Sequence, residues 1–76
     1  MSGYWLNVDF PTKTCVVHAD GCRYVRGMRE TFRKGVGRLR VDGGWLRFDS
    51  LEDVEGFFER EFRGRGFILK YCSICM

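Results

Sequence analysis

Cys72 and Cys75 close the chain in the segment Cys72-Ser73-Ile74-Cys75-Met76, and His18 and Cys22 lie in the earlier segment His18-Ala19-Asp20-Gly21-Cys22. C-x-x-C is the spacing at which one tight turn brings two thiolates onto a single cation, and H-x3-C can add two more ligands from a second turn. Two such pairs suit one closed tetrahedral zinc site made of His18, Cys22, Cys72 and Cys75. A redox C-x-x-C is a weaker reading, because thioredoxin-type pairs sit at a helix N-terminus that lowers the thiol pKa, whereas this pair follows a strand-like segment. A disulfide is the other alternative, and the second ligand pair favours metal over both. His18 could instead be a neutral ring hydrogen-bonded to backbone, with Cys15 as fourth ligand. Otherwise Cys15 reads as a small buried hydrophobe beside Val17.

A second constellation is electrostatic. Arg23, Arg26, Arg29, Arg33, Lys34, Arg38, Arg40 and Arg47 face only Glu30 and Asp42 in the same stretch, although the whole chain is +3. Arginine suits bidentate phosphate contact, and Tyr24, Phe32 and Trp45 lie among these bases as stacking surfaces, so the segment predicts contact with DNA or RNA. The plainer alternative is a solvated surface whose arginines pair with carboxylates. Paired-carboxylate catalysis has no support, since the acidic residues near 52–55 cap a helix. Gly35-Val36-Gly37 is too short to cradle phosphate, and nothing points to an enzyme.

The elements that must place these residues follow from periodicity. Seventy-six residues make one domain, 1–76, of a size at which a single apolar core is marginal and a staple is expected. Tyr4, Leu6, Val8 and Phe10 alternate with Trp5, Asn7 and Asp9, which predicts a half-buried strand ended by Pro11. Thr14 to His18 predicts its antiparallel partner, with Cys15 and Val17 on one face and Val16 and His18 on the other. Asp20-Gly21 is a turn that folds Cys22 back toward His18. From Arg23 to Gly37 the pattern is poor, giving a loop or short irregular helix tethered by Met28 and Phe32. Leu39 and Val41, the turn Asp42-Gly43-Gly44 and Trp45 to Phe48 predict a second hairpin.

The clearest helix signal begins at Ser50, an N-cap with Asp53 three residues on, and carries Leu51, Val54, Phe58 and Phe62 on one arc up to a stop at Gly64. Phe67, Leu69 and Tyr71 then form a last strand leading to Cys72. The expectation is an α+β fold in the order β-β-β-β-α-β: a small antiparallel sheet with one covering helix, stapled by zinc. No run reaches the roughly 18 apolar residues of a membrane span. Met1 to Phe10 has no secretory pattern, so a cytoplasmic location and metal before disulfides are expected. The absence of Gln and the single Asn give a weak thermophile-like bias, under which disulfides return as an alternative.

His18-x3-Cys22, Trp45-x2-Phe48-Asp49-Ser50-Leu51-Glu52, Gly66-Phe67 and the closing C-x-x-C resemble a group of small prokaryotic zinc-binding proteins and the metal-binding N-terminal domain of the Ada DNA-repair methyltransferase. The Ada resemblance implies a zinc-bound thiolate that accepts a methyl group from a DNA phosphotriester. In that domain the acceptor is the first Cys of C-x3-C, and here His18 stands at that position. Tyr71 also precedes Cys72 where the repair protein has Pro. The resemblance therefore implies the metal site, with the alkyl-acceptor role as an alternative. A further alternative is a protein-interaction or homodimerisation module presenting Trp5, Trp45 and Tyr24 as an apolar patch.

Overall fold

In the structure, a computed structural model describing residues 3–76, strand β1 (Tyr4–Asp9) is the centre of a mixed sheet. It pairs antiparallel with β2 (Thr14–Ala19) on one side and with β5 (Gly43–Phe48) on the other. The turn between β1 and β2 is set by Asp9, whose carboxylate accepts from the Thr12 backbone N–H at 3.2 Å, and by Lys13 at φ 56. Beyond β2 comes a single helical turn, α1 (Arg23–Arg26), followed by the short strands β3 (Lys34–Val36) and β4 (Arg38–Arg40). Helix α2 (Leu51–Glu61) links β5 to the edge strand β6 (Ile68–Tyr71).

The α+β class and the covering helix are as expected, while the sheet is mixed where an antiparallel one was expected, and β3 adds a strand to the expected order β-β-β-β-α-β in a stretch expected to be loop or irregular helix. β6 runs parallel to β2, with Val17 opposite Tyr71, and β3 runs parallel to β5. The reason lies in the connection: a strand that follows a helix crossover returns in the direction of the strand before the helix. β5 and β2 both run antiparallel to β1, so β6 meets β2 in parallel. The second hairpin also differs slightly. β5 starts at Gly43, so the turn falls at Val41-Asp42 and both glycines lie in the strand. Gly43 has φ +118, and a Cβ there would run into the Val8 carbonyl of the neighbouring strand.

Alternation along β1 and β2 divides the sheet into two faces. Leu6, Val8, Cys15 and Val17 point toward α2 and form a core with Val54 and Phe62. Phe62 anchors an aromatic cluster, with its ring centroid 4.6 Å from that of Phe67 and 5.8 Å from that of Phe57. Helix α2 starts where the sequence indicates, because the Ser50 side chain accepts from the Asp53 N–H at 3.1 Å. It ends at Phe62, and Gly64 follows at φ +79, a left-handed conformation that glycine adopts freely.

The opposite face carries a smaller cluster of Cys22, Val25, Trp45 and Cys72, flanked by Trp5, Val16, Met28 and Cys75. Met28 is the tether expected from the sequence, but Phe32 is 76% exposed and tethers nothing. Of the three residues of the expected apolar patch, Trp45 is buried, Trp5 half-buried, and Tyr24 exposed. No helix among the described residues is long and apolar enough to cross a membrane.

Gly43→Ala is expected to lower stability by at least roughly 2 kcal/mol, through left-handed strain and collision with the β1 backbone. Gly21→Ala, whose Cβ meets nothing within 4 Å, is expected to stay within about 0.5 kcal/mol of the parent. Paired urea melts check the difference, and equal midpoints would contradict the register of β1 on β5.

Candidate functional site

His18 ends the far face of β2, and its partner ligand Cys22 follows a tight turn closed by the Cys22 N–H donating to the Ala19 carbonyl at 3.0 Å. Asp20 holds that turn from both sides, accepting from the Gly3 N–H at 3.0 Å and from the Arg47 guanidinium at 2.9 Å. Parallel pairing of β6 with β2 then carries Cys72 alongside His18, where the Cys72 N–H donates to the Val17 carbonyl at 2.9 Å. A final turn, in which the Met76 N–H donates to the Cys72 carbonyl at 3.0 Å, swings Cys75 back. The Ala19 N–H donates to its sulfur at 3.3 Å, so a backbone donor of the first turn orients a ligand of the second.

The four expected ligands converge. One ligand atom each from His18, Cys22, Cys72 and Cys75 all lie within 4.8 Å of one another. The Cys22 Sγ to His18 Nδ1 separation is 3.5 Å and the Cys22 Sγ to Cys72 Sγ separation is 3.9 Å. A tetrahedral ion with bonds of about 2.3 Å to sulfur and about 2.0–2.1 Å to nitrogen has edges of about 3.8 Å and 3.5 Å for these pairs. The sulfurs are unbridged, and the set is close enough to hold a metal ion. Cys15 is not part of it: the period-2 alternation turns its side chain toward α2, where burial pushes its thiol up to about 11.

Electrostatics favour a cation at this point. Burial lowers the His18 pKa, so the ring is neutral and keeps a lone pair for coordination at neutral pH. Burial, with hydrogen bonding to Cys22, pushes the Cys75 thiol up to about 11. Burial also opposes ionisation of Cys72, but hydrogen bonds from the Ile74 and Cys75 backbone and from the neighbouring thiols outweigh it and lower its pKa. Thiols packed this closely ionise one at a time unless a positive ion sits among them.

The eight expected phosphate-binding cations fall into two groups. Lys34 Nζ donates to Asn7 Oδ1, the Val8 carbonyl and Asp9 Oδ1 at 3.1, 3.1 and 3.2 Å, so it clamps β3 to β1. Arg38 and Arg40 both donate to Glu30 Oε2, at 2.8 and 2.7 Å, and their bonds lower the Glu30 pKa, Arg40 first. Arg33 forms a two-pronged pair with Asp42, and Arg47 bridges Asp20 and Asp49. Arg23, Arg26 and Arg29 are exposed, and their side chains have no hydrogen-bond or ion-pair partner among the described residues. The basic segment is thus in large part a self-neutralised scaffold with its unpaired charge on α1 and the loop that follows.

Beside the cluster, on the same face of the sheet, opens a cleft of about 630 Å³ lined by His18, Trp45, Tyr24 and Met28 among others. Sequence reading did not find it, although the alternation that sets Asn7 and Val16 opposite the core residues already places both on this face. The short helix expected after Cys22 is α1, and what periodicity did not show is that it raises Tyr24 into a side wall. Comparison with known proteins gives no match to a family model, a curated protein or a solved structure.

Cys75→Ser is expected to abolish stoichiometric metal retention, whereas Cys15→Ala keeps one metal per chain and loses about 1 kcal/mol of stability. Metal analysis after gel filtration distinguishes them; loss of metal from the Cys15 variant would contradict the ligand set.

Proposed function

We propose that this chain is a non-catalytic zinc-stapled domain that binds nucleic acid through α1 and the loop behind it. The observation that supports the partner is the placement of Arg23, Arg26 and Arg29, unpaired within the fold, around the exposed Tyr24 and next to the cluster. Unpaired guanidiniums on a short, exposed segment are available to phosphate without breaking internal pairs.

Zinc is the ion because three thiolates and one imidazole form a soft-to-borderline tetrahedral set, the donor chemistry of structural zinc rather than of calcium or magnesium. Four protein ligands complete that geometry and leave no position for water or substrate, which is why the site is read as structural. Resemblance to the Ada metal-binding domain supports the same ion. The methyl-accepting role does not carry over, because His18 takes the acceptor's position. Cys22 and Cys72 lie 50 residues apart in sequence, so a shared ion closes most of the chain into one loop.

A strong chelator is expected to lower the melting temperature by more than about 10 °C, since metal binding in a domain this small is folding free energy. Unchanged melting after proven metal removal would reject the structural role. For nucleic acid, affinity should fall with salt at a log–log slope of about −2 to −3, as for three phosphate contacts. Arg26→Ala or Arg29→Ala should reduce that slope by about 1, whereas Arg38→Ala, held by Glu30, should leave it unchanged. Absence of binding at low salt removes the partner.

A further inference from the structure

The cleft beside the metal cluster has the chemistry of a nucleobase pocket. Trp45 and Asn7 are cross-strand neighbours on its sheet side, and Tyr24 and Met28 rise from α1 and its loop. Its charged members are Arg29 and Lys34, and no acidic side chain lines it among the described residues. Its volume of about 630 Å³ falls in the range of small-ligand sites, roughly 300–1,000 Å³.

Asn7 adds a polar group of defined orientation. Lys34 Nζ donates to Asn7 Oδ1 at 3.1 Å, which fixes the amide, and the Asn7 NH2 has no partner among the described residues. That group can donate to a ring nitrogen or carbonyl of a planar ligand. Tyr24 is 51% exposed and offers a ring face, with its centroid 5.7 Å from the His18 ring. Aromatic surface, a free amide donor and a cation at the lip together select a planar heteroaromatic ring that carries an anion.

We infer that this cleft receives the base of one unpaired nucleotide in a single strand. The base packs on Tyr24 with its acceptor edge toward Asn7, and the flanking phosphates lie at Arg29 and Arg26. This rests on the nucleic-acid reading above and adds strand type and a binding pocket to it. A paired base in a duplex has its faces stacked and cannot enter, so the site discriminates against double strands.

The test uses the zinc-loaded protein and a short oligonucleotide carrying a fluorescent purine analogue at its centre, single-stranded or annealed to its complement. The single strand should bind at least about tenfold tighter than the duplex, with the analogue's emission quenched on binding. Tyr24→Ala should weaken single-strand binding about tenfold and remove the quenching without changing the salt slope, and Tyr24→Phe should restore both. Equal affinity for both forms without quenching overturns the pocket while leaving phosphate binding in place. Binding of neither form overturns both readings. The analogue supplied as its free 5′-monophosphate separates the sources: binding as tight as the strand would overturn the strand assignment in favour of a nucleotide.

Discussion

Three thiols and an imidazole held within 4.8 Å are close enough to hold one metal ion, and the three thiols can ionise together only if a cation sits among them. Without one, each ionised sulfur disfavours ionisation of the next, while burial raises the pKa of the Cys75 thiol and, against burial, hydrogen bonds from the Ile74 and Cys75 backbone lower that of Cys72. The rest of the molecule depends on how this constraint is met. Among the described residues the edge strand β6 pairs only with β2, and its far end lies where Cys72 and Cys75 reach the turn that carries Cys22. The Cys/His cluster and the strand pairing therefore meet on the same piece of chain from two directions.

The sheet separates two tasks. Its α2 face buries Leu6, Val8, Cys15, Val17, Val54 and Phe62 and supplies the apolar core. Its other face carries a smaller buried cluster, covered among the described residues by α1, the loop after it and the turn that holds Cys72 and Cys75. There the Cys/His cluster lies where no second long helix covers the sheet among the described residues. Ion pairs complete that cover: Glu30 gathers Arg38 and Arg40, Lys34 crosses to β1, and Arg47 braces the Asp20 turn. Exposed pairs of this kind contribute little each, so their part is to fix the loop's path more than to stabilise the fold.

Much of this was legible in the residues. The ligand set followed from spacing with Cys15 left open in place of His18; alternation put Cys15 on the face of Val17, and that face proves to be the one packed against α2. Helix α2 was legible from its cap, its apolar arc and Gly64. Parallel pairing of β6 was the step missed, although a helix between two strands of one sheet already implies it. The segment from Arg23 to Gly37 was illegible for a physical reason: it has almost no period of its own and takes its shape from contacts distant in sequence, such as Arg33 with Asp42 and Lys34 with Asn7. The same long-range pairing divides eight similar cations into five that hold the fold and three that do not. Composition cannot reveal that division.

The most direct measurement of the central claim is native mass spectrometry of the protein as purified, which weighs the intact chain with whatever it retains. The account predicts a single species carrying one zinc ion per chain. A metal-free mass short of two or four hydrogens would mean that the cysteines are joined as disulfides, and would contradict it.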